Sequence, residues 1–244
     1  MKISFLAAPW FRAAAVFSLL ASAACEDLAT GPGPAGGPLP GIDVSHWQGT
    51  IDWSAVAADG VEFAFVKATE GGDYTDPRFA ANWAGARQAG VVRGAYHFYR
   101  PQTDAMAQAA HFLGTVTLAS GDLPPVLDVE VTDGRSADAV AAGVRTWLQE
   151  VERVTGRRPI IYTRASFWTA QMGSGFGGYP LWVAHYGVAS PSIPAGWSGW
   201  TFWQHSDAGR VDGISGGVDL DWFNGGHAEL EAFIASGQTP AAAR

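Results

Sequence analysis

A chain of 244 residues with 48% hydrophobic and 12% aromatic content is long enough for one large core or two small ones. Its formal charge is -8, and no basic patch is present, which argues against a nucleic-acid partner. The single cysteine, Cys25, excludes an intrachain disulfide.

Residues 1–25 read as an export signal. Lys2 and Arg12 supply positive charge, and AAAVFSLLASAA is an apolar run too short to span a bilayer as a helix. The run meets Cys25, whose place resembles the lipidation cysteine of bacterial lipoproteins; Ser22 stands where that motif prefers Leu. Cleavage after the ASA that ends at Ala23 is the alternative. Either way the folded part is expected outside the cytoplasm: extracellular, periplasmic or membrane-anchored through a lipid on Cys25. Without the leader the balance is 13 basic against 23 acidic residues. Residues 26–40, EDLATGPGPAGGPLP, read as a Gly/Pro-rich tether. The folded domain is expected over 41–234 and a disordered tail over 235–244, with no internal repeat.

From Gly41 short apolar runs alternate with helical stretches. GIDVS is the first expected strand and WSAVAAD a short helix. EFAFVKA, VVRGAYHFY, PPVLDVEV and RPIIYT follow as strands, each trailed by a helical segment. The longest, SADAVAAGVRTWLQEVERVTG, has a Ser136 start and a Gly156 stop. PLWVAHY, WTFWQHS and GGVDLDW then read as three strands joined by loops. Strand–helix alternation implies a parallel sheet. Eight strands, five with helical crossovers, imply an α/β fold: a single TIM-like barrel with a degenerate last third.

Such barrels place their sites at the C-terminal ends of the strands. Asp43, Ser45, Lys67, Tyr96, Phe98, Asp128, Glu130 and Tyr162 fall at or near the ends of the first five strands. Trp182 and Tyr186 lie on or just past the sixth, Gln204 on the seventh, and Asp219 and Asp221 on the eighth. Acids, amides and aromatics converging on one mouth suit a sugar ligand. Within VLDVEV, period-2 alternation points Asp128 and Glu130 to the same side. Two carboxyls so placed are costly to bury as charges, and one should have a raised pKa. His46, His97 and His185 show no metal-ligand spacing, and no metal or cofactor is expected. Lys67 either pairs with a site acid or extends along the wall. Asp52 and Asp76 read as helix-start residues.

GIDVSHWQGTIDW, FAFVKATEGGDYTDPRFAANW, GAYHFYRP, PPVLDVE, IIYT, LWVAHY and WQHSDAGRVDGISGGVDLDWFNG stand in the order seen in glycoside hydrolase family 25. The chain thus resembles the Chalaropsis-type lysozymes, or N-acetylmuramidases, over about residues 41–232. The resemblance implies a (β/α)5(β)3 barrel that hydrolyses the β-1,4 bond between N-acetylmuramic acid and N-acetylglucosamine in peptidoglycan glycan strands, without a cofactor. Position by position it carries the family's acids onto Asp43, Asp128, Glu130 and Asp219. Where the family often has Asn after VDL, this chain has Asp221, an added charge expected near the mouth.

Glycosidic hydrolysis needs a proton donor and stabilisation of an oxocarbenium-like state. Glu130 is the expected general acid/base. Asp128 lies about 6.6 Å along the strand from it, so its side-chain reach leaves retaining and inverting spacings unresolved. Two acids on one strand flank a bond poorly, which favours Asp128 assisting the substrate's own N-acetyl group. Tyr96, Tyr162, Trp182, Tyr186, Gln204, Asp221 and Lys67 are the expected substrate-binding residues. Two alternatives stay open: a chitin or other N-acetylhexosamine hydrolase on the same barrel, and a non-catalytic glycan-binding protein. A monomer is expected.

Overall fold

The computed structural model describes residues 37–236; the leader, Cys25 and the last eight residues lie outside them. The element order is β1 (Leu39–Val44), α1 (Trp53–Ala58), β2 (Phe63–Glu70), β3 (Tyr74–Thr75), α2 (Phe79–Gln88), β4 (Val92–Phe98), α3 (Ala105–Thr115), β5 (Val126–Asp128), α4 (Ala137–Thr155), β6 (Ile160–Arg164), α5 (Ala165–Gln171), β7 (Leu181–Ala184), β8 (Phe202–Gly209), β9 (Val218–Phe223) and α6 (His227–Ser236).

Eight strands close into a barrel in the order β1-β2-β4-β5-β6-β7-β8-β9 and back to β1. The barrel strands β1, β2, β4, β5, β6, β7 and β8 pair in parallel, and β9 runs antiparallel to both its neighbours. The two-residue β3 hooks back onto the end of β2. Helices cross between the first six barrel strands, whereas β7, β8 and β9 are joined by loops. This is the TIM-like barrel with a degenerate last third that the alternation implies.

Local chemistry sets the helix ends. The Asp52 side chain accepts from the backbone N–H groups of Ser54 and Ala55 at the start of α1. Ser136 caps α4 through Ala139 N, and Gly156 ends it in the left-handed region, φ 67°. Along α4, Val140, Val144, Trp147, Leu148 and Val151 recur at helical spacing and are buried against the barrel's outer face.

Period 2 sorts the strands into two cores. Ile42, Val44, Ala64, Val66, Leu127 and Val129 face the helices. Leu39, Phe63, Phe65, Val126, Ile160 and Phe202 face inward. The aromatic rings interlock: Phe63 lies 5.2 Å from Phe202, and Phe65 lies 5.0 Å from it. Glycines make room for them. A Cβ at Gly41 would sit 2.3 Å from the Phe63 ring, and one at Gly94 would sit 2.6 Å from Phe65. Burying each ring contributes about 1.5–3 kcal/mol. The lower barrel is therefore filled, and any site must lie above it, toward the C-terminal ends of the parallel strands.

Three boundaries differ from the sequence reading. β1 begins at Leu39, inside the segment read as tether, because Leu39 is buried opposite Phe223. β5 ends at Asp128, so Glu130 lies beyond the ladder proper. Helix α6 has no counterpart in the sequence reading; its Leu230 and Phe233 pack beneath Phe202 and Phe223, closing the barrel floor.

Candidate active site

The inward-facing residues change character at one level of the barrel. Below it stand Phe63, Phe65 and Phe202. Above it stand Asp43, Lys67, Tyr96, Asp128, Tyr162 and Gln204, which line a cleft of about 320 Å³. Glu130, Trp182, Tyr186 and Asp219 line the same cleft. Glu130 keeps the face of Asp128 although β5 has ended. Val129 N donates to Tyr162 O at 2.9 Å, and Thr163 Oγ1 donates to Val129 O at 2.8 Å, holding the run extended.

Asp219 departs from the rule that sites sit at strand C-terminal ends. It is the second residue of β9 and pairs with Asp43 across the antiparallel ladder. Reversal of the last strand brings its N-terminal end to the mouth.

Burial pushes the Asp128 carboxyl well above the usual carboxylate range; Glu130 adds to this and Lys67 opposes it. Asp128 Oδ1 is buried and has no hydrogen-bond partner among the described residues, which further favours the neutral form. Burial also raises Glu130, against the lowering influence of Arg164, whose Nε lies 3.3 Å from Glu130 Oε2. A pair so placed retains a proton above the ordinary range of carboxylic acids, a condition for acid catalysis at mild pH.

A second acid group faces this pair. Burial raises Asp43, with Asp221 and Asp219 adding to it. Burial, then Asp207, pushes Asp219 up to about 6. Gln204 organises the wall between them. Its Nε2 donates to Asp43 Oδ2 at 2.6 Å, and its Oε1 accepts from Tyr162 Oη at 2.7 Å and Tyr186 Oη at 2.6 Å. Two hydroxyl donors on one oxygen and a carboxylate on the nitrogen define the amide's orientation.

Several expectations require correction. Trp182 is only 2% exposed. Its ring stacks on Phe65 at 4.2 Å, Tyr162 meets it edge-on, and its indole donates to Asp221 Oδ1 at 2.8 Å. It forms the cleft floor and leaves no ring face for a sugar. Asp221 is not a charge at the mouth. It lies beneath that floor, 1% exposed, and burial pushes its carboxyl well above the usual range. Lys67 lines the cleft, but its ammonium pairs with Glu70 at 2.7 Å and not directly with a site acid. Glu70 in turn receives Arg100 at 3.2 Å, and Arg100 forks onto both oxygens of Asp133. Asp76 is not the cap of α2, whose N-cap is Arg78 without a side-chain bond; its Oδ1 accepts from Arg78 N in the preceding turn, and its Oδ2 holds both the backbone N and the Nδ1 of His46.

The cleft is also lined by Ser45 and Phe98, which stand at the expected strand ends, and by Trp47, Gln48 and Asp207, which the sequence reading did not single out. Trp47 and Gln48 follow the C-terminal end of the first strand, so the barrel rule was the signal that could have found them. The histidines lie apart. His97 is buried outside the barrel, stacked on Trp147 at 5.6 Å, and burial pushes it down to about 4. His185 Nδ1 accepts from Ser192 N. Among the described residues no three or more His, Cys, Asp or Glu side chains form a group that could hold a metal ion.

The arrangement can donate a proton, hold negative charge opposite the donor and hydrogen-bond hydroxyls. Relatives carry the same frame. The family model for glycosyl hydrolases family 25 matches residues 42–214. Lysozyme M1 of Streptomyces globisporus is 44% identical over 223 residues, covering 85% of this chain and 74% of the relative. The N,O-diacetylmuramidase of Chalaropsis is 35% identical over 200 residues, covering 73% and 95%. The crystal structure of a bacterial lysozyme from Streptomyces coelicolor superposes with a TM-score of 0.73 at 41% identity, covering 80% of this chain and 96% of that one. A family match spanning most of the barrel, together with relatives matched over most of both chains, makes this chain a glycoside hydrolase, a member of glycosyl hydrolases family 25.

Proposed function

We propose that the protein is an exported muramidase that hydrolyses the β-1,4 bond between N-acetylmuramic acid and N-acetylglucosamine in peptidoglycan. The observation that carries this reading is the pair formed by the buried Asp128 and the half-buried Glu130, both raised in pKa and set against Arg164 and Lys67. Membership of the family and the names of the relatives support the substrate class.

In the free cleft the coupled pair retains a shared proton, because burial raises both carboxyls. When the muramic acid ring enters, its acetamido N–H donates to Asp128 and favours the ionised carboxylate. The proton then rests on Glu130, which delivers it to the leaving glycosidic oxygen. The acetamido oxygen attacks the anomeric carbon as the C–O bond breaks, giving a cyclic oxazolinium whose positive charge Asp128 stabilises. Glu130, now a carboxylate, takes a proton from the incoming water, whose oxygen opens the ring. The product keeps its configuration and the carboxyls return to their starting state.

Asp43 and Asp219 close the opposite side of the cleft. Gln204 locks Asp43 in place, and the pair polarises the region over which charge develops. The cleft is complete within one chain, which supports action as a monomer. Export, and anchoring through Cys25, rest on the leader sequence alone.

The test is digestion of purified peptidoglycan by the full chain and by Glu130→Gln, with products reduced by borohydride and weighed by mass spectrometry. Reduced muramic acid ends from the wild type alone support both the bond and the acid. Reduced glucosamine ends, or release from chitin only, reassign the bond. Folded protein that binds peptidoglycan without releasing anything points to a glycan-binding protein.

A further inference from the structure

Among the described residues the exposed large aromatic side chains are Trp47, Tyr74 and Tyr186, in a chain with 11 Trp, 6 Tyr and 13 Phe. All three stand at the barrel mouth. Trp47 and Tyr186 line the catalytic cleft. Tyr74 lines a neighbouring cavity of about 210 Å³ with Glu70, Arg100 and Asp133. The barrel and its helices take in their other large rings, so exposure at the mouth is selective.

Trp47 is the extreme case at 81% exposed, yet its base is firmly held. It sits in a 3-10 turn, His46–Gln48, capped from both sides. Trp47 N donates to Ser45 Oγ at 3.3 Å, and Ser45 N donates to Gln48 Oε1 at 2.9 Å. His46 beside it is fixed to the buried Asp76 by two hydrogen bonds of 3.0 and 2.8 Å. The His46 ring lies 4.5 Å from Trp47 and 6.3 Å from Tyr74, bridging the two exposed rings. An apolar surface kept in water on a rigid mount is preorganised for a ligand, because little freedom remains to be lost on binding. The apolar face of a pyranose ring suits an indole.

We infer that Trp47 is the platform of a distal sugar subsite, stacking an N-acetylhexosamine ring outside the two that flank the cleaved bond, and that the His46–Asp76 pair is its mount. The inference rests on the muramidase reading. Trp47 follows β1 while Glu130 follows β5, three strands round the barrel, and this separation across one cleft favours different sugar rings at the proton donor and on Trp47. The subsite gives the enzyme a preference for long glycan strands over short ones.

The experiment compares wild type, Trp47→Ala, Trp47→Phe and the surface control Val154→Ala on soluble glycan strands of short and long length. For Trp47→Ala the ratio of kcat/KM on long strands to that on short ones falls about tenfold, equivalent to about 1.4 kcal/mol. Trp47→Phe retains most of the ratio, and Val154→Ala leaves it unchanged. The thermal midpoint of Trp47→Ala stays at that of the wild type. Equal loss at every length, or no loss, overturns the subsite while leaving the muramidase reading standing. A wild type that cleaves no strand of either length overturns that reading instead. The subsite is then read without turnover, as strand affinity of Glu130→Gln with and without Trp47→Ala. Equal affinities overturn it there too.

Discussion

Replacing Arg164 by Met tests the electrostatic reading of the acid pair most directly. Arg164 Nε lies 3.3 Å from Glu130 Oε2, with the arginine side chain 53% exposed and the glutamate 22%. Coulomb's law at this distance gives about 1.3 kcal/mol in water and about 5 kcal/mol at an effective dielectric near 20. An arginine this exposed is well screened, so the lower figure applies. That energy corresponds to about one pH unit. The direction follows from charge: the guanidinium favours the carboxylate, so its loss raises the pKa of Glu130. A general acid that holds its proton longer stays active to higher pH. The alkaline limb of the kcat/KM profile on peptidoglycan should therefore move up by about half to one unit, and Arg164→Lys should restore it. The shift should shrink in high salt. An alkaline limb that stays put, or moves toward acid, would refute the assignment of Arg164 as the charge that tunes the donor.

Two further predictions concern the fold. Asp221 is buried with a raised carboxyl pKa, so its contribution to stability is full below the ordinary Asp value and is lost as pH rises through the folded value. Asp221→Asn, which keeps an acceptor for the Trp182 indole, should raise the thermal midpoint at neutral and alkaline pH and change it little near pH 4. A calorimetric series showing equal effects at both ends would mean that Asp221 does not titrate above the usual range. Gly94→Ala places a Cβ 2.6 Å from the Phe65 ring and should cost about 1–3 kcal/mol through overpacking of the barrel interior. Phe65→Leu in the same chain should recover part of that loss in urea unfolding; additive losses would show that the clash is not with Phe65.

What the chain reveals along its own length depends on short-range periodicity. Alternation places Asp128 and Glu130 on one face, and it survives the end of β5 because the backbone stays extended through Val129. The α4 boundaries follow from Ser136 and Gly156, which act on their own neighbours. The barrel class follows from the succession of strand and helix periods, since parallel strands need crossovers. Arg164 as partner of Glu130 was not foreseen, because it comes from the next strand and depends on how β6 is placed beside β5.

Depth and direction were decided only in three dimensions. Trp182 and Tyr186 read alike as aromatics at a strand end, yet Trp182 is sealed by Phe65 from across the barrel and Tyr186 reaches the rim. Asp219 and Asp221 share a strand, a face and a side chain, but one lines the cleft and the other lies beneath Trp182. The antiparallel course of β9 and the plug formed by α6 depend on contacts between distant segments, Phe233 with Phe202 and Leu39 with Phe223. The sequence by itself determined which side chains face inward, because that is a property of successive backbone torsions. Only the tertiary structure decided which of them meet water, because solvent exposure is set by what the rest of the chain stacks above and below.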